Sequence, residues 1–270
     1  MMQAAIKAEH LEYAYARTAV LKDISFAVSE GEFFVIIGPN GSGKTTLLKI
    51  LSGIHKPQSG SVVIDGNPLQ TYSRKSLARA VAYVPQMIQT DFPFTVREVV
   101  LMGRSPHLGM LGLEAQEDLD LAEEAMGITG VGHLANRRLS QLSGGECQRV
   151  YIARAICQQT NIIILDEPTA SLDLAHQVRI MDLMEKLKKE QGITVVMVSH
   201  DINLAAMYGT RVLLLKEGRL LHLGLPQEVM TFETLEDAYG CRLLVDASPL
   251  GRFPRITLVP ERYMKPESTA

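Results

Sequence analysis

Hydrophobic and polar positions alternate near the start of the chain, at Ile6, Ala8 and His10 and again at Ile24, Phe26 and Val28. A period of two sends successive side chains to opposite faces, so both stretches predict strands. Phe33-Phe34-Val35-Ile36-Ile37 is apolar throughout, which suits a strand buried on both faces of a parallel sheet. A glycine-rich turn from Gly38 to Gly43 follows, then an apolar helix from Lys44 to about Leu51. Pro57, Gly60, Asp65-Gly66 and Pro68 mark turns around a Ser61-Val62-Val63-Ile64 strand. From about Met87 to Gln159 the pattern is mainly helical, with Glu117 to Met126 amphipathic and acidic and with joints at Gly109, Gly127, Gly130 and Gly132. Short apolar strands return at Ile162-Ile163-Ile164-Leu165 and Thr194-Val195-Val196-Met197-Val198, separated by a helix-period segment from His176 to Lys189.

Strands alternating with helices predict an α/β fold on a parallel sheet, with the helical stretch inserted as a subdomain. One domain is expected over residues 1–260. Its core comprises 1–86 and 160–245, its helical subdomain 87–159, and 246–270 form a short C-terminal extension that reads as disordered from about Glu261. Composition narrows the function classes. With 46% hydrophobic and 21% charged residues, the chain is an ordinary globular sequence able to bury its own core. Its 27 Lys plus Arg against 30 Asp plus Glu give a net charge of −3, which offers no attraction to nucleic acid. The longest stretch free of charged residues, Ala125 to Asn136, contains three glycines and falls short of the roughly 20 apolar residues of a spanning helix. The start lacks the apolar segment of a secretory signal, so a cytosolic chain is expected. Three cysteines make no disulfide framework.

Gly38-Pro39-Asn40-Gly41-Ser42-Gly43-Lys44-Thr45 fits the phosphate-loop template G-x-x-x-x-G-K-[ST], between a predicted buried strand and a predicted helix. Glycines there let backbone N–H groups converge on phosphates, the helix start adds its positive dipole end, Lys44 adds a point charge, and the Thr45 hydroxyl can hold Mg²⁺; Thr46 completes the first turn. The Ile162–Leu165 strand ends in Asp166-Glu167, which would deliver Asp166 to the same Mg²⁺ and Glu167 to the attacking water. Asp173, after Thr169-Ala170-Ser171-Leu172, reads equally as a helix N-cap.

Between these elements lies Leu142-Ser143-Gly144-Gly145-Glu146-Cys147-Gln148-Arg149. On this segment the sequence resembles the ATP-binding-cassette (ABC) ATPase family, whose signature is LSGGQ or LSGGE followed by a helix. The resemblance covers about 240 residues and six ordered elements. Beside the two loops and the signature, Tyr15 resembles the aromatic position that stacks on adenine, Gln86 in Tyr83-Val84-Pro85-Gln86 the Q-loop glutamine, Ser171-Leu172-Asp173 the D-loop, and His200 in Val198-Ser199-His200-Asp201 the switch histidine. Tyr13 competes with Tyr15 for the adenine position, since alternation sends both to one face.

The family implies a P-loop NTPase: a RecA-like core with an antiparallel β-subdomain and an inserted ABC-type α-helical subdomain. It implies ATP and Mg²⁺ as cofactors, with Thr45, Asp166 and Gln86 on the metal, Glu167 as general base, His200 on the γ-phosphate, and Ser143, Gly144, Gly145 and Asp173 at the nucleotide. Ser143 stands 99 residues beyond Lys44. The family closes that gap with a head-to-tail dimer, the signature of one copy on the ATP of the other. Two integral membrane permease subunits, an extracytoplasmic binding protein reached through them, and a peripheral position on the cytoplasmic face of the membrane are implied as well. Phe92-Pro93-Phe94-Thr95-Val96-Arg97-Glu98-Val99-Val100-Leu101-Met102-Gly103-Arg104-Ser105-Pro106-His107-Leu108 resembles importers of iron–siderophore, haem and cobalamin, in which a V-x-x-G-R-x-P-H segment recurs. Two other classes stand against import: soluble ABC ATPases of chromosome maintenance, DNA repair or the ribosome, and partner-binding ABC proteins without transport. The 99 residues leave no room for a long coiled coil. Cys147 departs from the family pattern and reads either as a thiol activated by the helix start or as a small buried hydrophobe. His10 and His107 have no metal-ligand spacing around them.

Overall fold

The structure, a computed structural model, describes residues 4–87, 93–109, 112–170 and 172–263. Phe92 and Ser171 of the motifs above, and the expected tail beyond 263, lie outside these residues. The N-terminal alternation becomes β1 (Ala4–Tyr15) and β2 (Thr18–Ser29), an antiparallel pair that buries Ile6, Ala8, Leu11, Ile24 and Val28. β3 (Phe33–Ile37) is buried on both faces and leads through the glycine-rich loop into α1 (Lys44–Leu51). β4 (Ser59–Ile64) and the two-residue β5 (Asn67–Pro68) complete a four-stranded antiparallel sheet of order β2-β1-β4-β5. α2 (Arg74–Ala80), capped by the Ser73 hydroxyl, passes directly into β6 (Val81–Val84).

The predicted helical stretch contains α3 (Val96–Leu101), opened by a Thr95–Glu98 capping box, α4 (Gln116–Ile128) and α5 (Gly144–Cys157). These helices bury a small core of their own around Val96, Val100, Met126, Leu134 and Val150. Alternation of strand and helix resumes with β7 (Ile162–Asp166), α6 (Leu174–Gln191), β8 (Thr194–Val198), α7 (Ile202–Tyr208), β9 (Arg211–Lys216) and β10 (Arg219–Gly224). Short helices α8 (Pro226–Val229) and α9 (Phe232–Tyr239) and a hairpin of β11 (Leu243–Ala247) and β12 (Pro254–Leu258) follow.

The main sheet has the order β10-β9-β3-β8-β7-β6. Strands β9 to β6 are parallel and β10 is an antiparallel edge. Its strands feed two cores by alternation. Phe33, Val35 and Ile37 face the core built with α6 and α7, whereas Phe34 and Ile36 face α1 and the antiparallel sheet. Parallel neighbours end at one edge, so the C-terminal ends of β3, β7 and β8 bring Gly38, Glu167 and His200 together.

The expected boundary between 245 and 246 falls inside β11. β11 pairs with β12 from Leu243↔Leu258 to Ala247↔Pro254, Leu243 and Ile256 are buried in the main core, and Asn203 on α7 exchanges hydrogen bonds with both backbone groups of Ile256 at 2.8 and 3.0 Å. Residues 246–258 therefore belong to a hairpin docked on the main core through Ile256. Composition carries no signal of this docking, because the α7 residue that holds Ile256, Asn203, lies 53 positions away.

Candidate functional site

The glycine-rich loop takes its shape from three glycines with positive φ: Gly38 at 148°, Gly41 at 78° and Gly43 at 102°. A Cβ on Gly38 would lie 2.1 Å from the Leu215 carbonyl oxygen, so β9 leaves room there for hydrogen alone. Gly43 is the N-cap of α1 and brings no side-chain cap, which leaves first-turn N–H groups free to meet an anion. Lys44 Nζ donates to the carbonyls of Gly38 (2.8 Å) and Pro39 (2.9 Å), so the loop is wrapped around its ammonium. Burial pulls the Lys44 pKa down, against the pull of the Glu167 and Asp166 carboxylates. The Ser42 hydroxyl is buried with no hydrogen-bond partner among the described residues, an orphan donor in the cradle.

Thr45 Oγ1 donates to Asp166 Oδ1 at 3.1 Å, and the Tyr83 hydroxyl donates to Asp166 Oδ2 at 3.2 Å. Burial pushes the Asp166 carboxyl up, while the Thr45 and Tyr83 hydrogen bonds favour its charged form. One residue on, Glu167 leaves the strand in the left-handed region at φ 51° and is 8% exposed. That turn separates the two acids: Asp166 faces Thr45, and the Glu167 carboxylate accepts from Gln86 Nε2 at one oxygen and lies 2.5 Å from His200 Nε2 at the other. Pro168 follows, two residues past the end of β7. A cleft of about 480 Å³ is lined by Val20, Asn40, Gly41, Gly43, Lys44, Thr45, Thr46, Gln86, Glu167 and His200. Gly38, Pro39 and Ser42 belong to the same loop and Asp166 to the adjoining strand end, but none of them lines the cleft itself.

Tyr15, Ser143, Gly144, Gly145 and Asp173 do not line this cleft. Tyr15 is the last residue of β1, about half exposed, with its hydroxyl 3.0 Å from His55 Nε2. Tyr13 does share its face: the two rings meet edge to face at 5.0 Å, and Tyr13 stacks on His55. Ser143 caps α5 in a reciprocal box, accepting from Glu146 N at 3.3 Å while Glu146 Oε2 accepts from Ser143 N at 2.8 Å. Asp173 caps α6: its Oδ1 accepts from His176 N at 2.8 Å, which holds the carboxyl below the usual range. The N-cap alternative for Asp173 is what this chain displays, with the nucleotide contact left as a proposal. The activated-thiol alternative for Cys147 is corrected: the side chain is 1% exposed, and burial pushes its pKa up. Tyr83 was not foreseen as a site residue. Its contact with Asp166 depends on β6 lying beside β7, a pairing that no local motif encodes.

A profile of the family described as ABC transporter matches residues 21–170. The ferric enterobactin transport ATP-binding protein FepC of Escherichia coli K12 is 37% identical over 253 residues, covering 94% of this chain and 93% of its own. The petrobactin import ATP-binding protein FpuC of Bacillus anthracis is 39% identical, covering 84% of each. Among solved structures, a metal-chelate type ABC transporter in an inward-facing conformation superposes with a TM-score of 0.84 at 29% identity, over 97% of this chain and all of that one. A dimeric ATP-binding cassette in a post-hydrolysis state, bound to ADP and Pi, gives 0.73 at 34% identity over 82% of this chain and 98% of that one. With the phosphate loop, the acidic strand end and these likenesses in hand, the chain belongs to the ABC transporter family as an ATP-binding cassette, an ABC-type ATPase.

Proposed function

We propose that the chain powers uptake of a metal chelate, an iron–siderophore, haem or cobalamin, as a head-to-tail dimer on the cytoplasmic face of the membrane beneath two permease subunits served by an external binding protein. The observation that carries the catalytic half is Glu167, clasped between Gln86 and His200 at the mouth of the phosphate loop. Glu167 takes the proton of the attacking water, His200 holds that carboxylate and contacts the γ-phosphate, and Lys44, Ser42 and the α1 N–H groups take the phosphate charge. Thr45, Asp166 and Gln86 present oxygen ligands, the set a hard divalent cation prefers, and the Thr45–Asp166 contact already converges two of them. Mg²⁺ bound there would neutralise charge on the β- and γ-phosphate oxygens. Tyr15 stacks on the base, worth roughly 1–3 kcal/mol by analogy with other aromatic–base contacts.

The dimer rests on Ser143: a second helix start suited to phosphate stands outside the cleft that holds Lys44. The dimeric ADP-bound neighbour supports it. The substrate class rests on the relatives, named for ferric enterobactin and petrobactin, and on the metal-chelate type neighbour. The test is uptake by cells in which Lys44→Ala replaces the native residue, with labelled ferric siderophore, haem and cobalamin offered separately. Loss of uptake of one of the three is expected; unchanged uptake of all three removes the import assignment.

A further inference from the structure

The Gly103-Arg104-Ser105-Pro106-His107 segment does not line the nucleotide cleft, yet it carries a dense cluster of polar contacts. Arg104 is 6% exposed; its Nε donates to Asp118 Oδ1 at 2.8 Å, and its Nη1 donates to the Cys157 carbonyl and to Gln159 Oε1, both at 3.0 Å. Asp118 Oδ2 accepts from Ala115 N at 3.0 Å, so the same ion pair fastens the first turn of α4. His107 Nε2 donates to the Gln158 carbonyl at 2.8 Å. Gly103 packs so tightly on α5 that a Cβ there would sit 2.4 Å from the Arg154 carbonyl oxygen. The segment thus holds the C-terminal turn of α5 through three successive contacts, where free carbonyls and the negative dipole end favour cations.

The same segment also reaches α2 and β6. Arg79 Nε donates to the Pro106 carbonyl at 2.8 Å, and Lys75 Nζ to the Leu108 carbonyl at 2.6 Å. Gln158 Nε2 donates to the carbonyls of Ala78 and Val81, at the start of the strand that leads to Gln86. Around this junction the packing opens. Clefts of about 220 and 340 Å³ separate α4 from β7 and α6 on either side, whereas Tyr151 and Ile156 of α5 touch both cores. The helical subdomain is therefore pinned to the main core near the C-terminal end of α5, and Ser143 is at the other end. α5 has 14 residues, about 21 Å of helix at 1.5 Å per residue, so a tilt of about 10° at the pin carries Ser143 about 4 Å.

We infer that Arg104 is a positioning residue for the partner's ATP: through the C-terminal turn of α5 it sets where Ser143 stands, and together with His107 on the adjoining Gln158 it joins that position to the strand that leads to Gln86. This rests on the shared-site dimer proposed above. Lysine at 104 cannot span Asp118, Cys157 and Gln159 at once, because it lacks the planar fork. Arg104→Lys is expected to keep ATP affinity within about twofold and to lower turnover at least tenfold.

The deciding experiment compares ATP hydrolysis by full-length mixed dimers purified through two different tags. Lys44→Ala and Arg104→Lys are placed either on opposite protomers or on the same protomer beside an unmodified one, with Ser143→Arg in place of Arg104→Lys as the control. The opposite arrangement should be at least about fivefold more active in both sets, because it leaves one site free of lesions. If the control complements and the Arg104 set shows no difference, or the reverse order, the inference fails alone. If the control does not complement, the shared-site dimer fails and takes the inference with it. Should Arg104→Lys not fold, Gln159→Ala, which removes one of the Arg104 hydrogen bonds and keeps the buried ion pair, must show the same asymmetry; its absence overturns the role.

Discussion

Glu167 and Asp166 are neighbours in sequence with different surroundings, and the positive φ of Glu167 is what divides them. Asp166 is bonded by two hydroxyls beside the loop, while Glu167 opens toward the cleft between an amide and an imidazole. Glu167→Gln keeps size and removes the proposed base. It is expected to lower turnover by about 10² to 10⁴ while ATP binding, measured with a fluorescent analogue, stays within about twofold. Near-normal hydrolysis in that variant would remove Glu167 as base. Lys44, Thr45 and Glu167 are legible from motif spacing and Gln86 and His200 from the family resemblance, and all five line one cleft. Tyr83 and His55 are not legible from either, since each acts through a cross-strand or cross-loop neighbour that local sequence does not specify.

At the scale of elements, the strand–loop–helix unit β3–α1 carries two glycines with different reasons to be glycine. Gly38 is hemmed in by the Leu215 carbonyl, whereas Gly41 has open space where a Cβ would go and only its φ of 78° against it. Gly41→Ala is expected to cost about 1–2 kcal/mol of backbone strain. Gly38→Ala forces the loop off β9 and should abolish nucleotide binding; isothermal titration with ATP and a thermal melt on both variants check the contrast, and equal effects would contradict it. α5 shows a second economy of design. The glutamate of LSGGE closes the capping box on Ser143, and the Ser143 N–H and hydroxyl hold the Glu146 carboxyl below its usual range. The acidic variant of the signature thus has a local structural reason that helix-start chemistry makes readable from sequence.

Across the whole molecule, two sheets enclose α1, a helical body hangs from one end of α5, and the hairpin β11–β12 closes the core beside α7. A chain ended at 245 loses β12, the buried Ile256 and both Asn203 hydrogen bonds. It should be destabilised by about 2–5 kcal/mol in chemical denaturation, with the shortfall absent if the hairpin were an appendage. Among the described residues no helix is long and apolar enough to cross a membrane. By itself the sequence determined the class of fold, the nucleotide loop and the identities of the groups around phosphate, because helix and strand periods and loop chemistry are local properties. Only the tertiary structure decided which groups meet. The parallel order of β8, β7 and β6 sets Glu167 between His200 and Gln86, and burial raises the Cys147 thiol. Arg104 grips the C-terminal turn of α5, and Ser143 at its other end stands outside the cleft that it is proposed to complete. Each of these depends on strands and helices far apart in the chain, whose pairing is settled by the packing of whole faces.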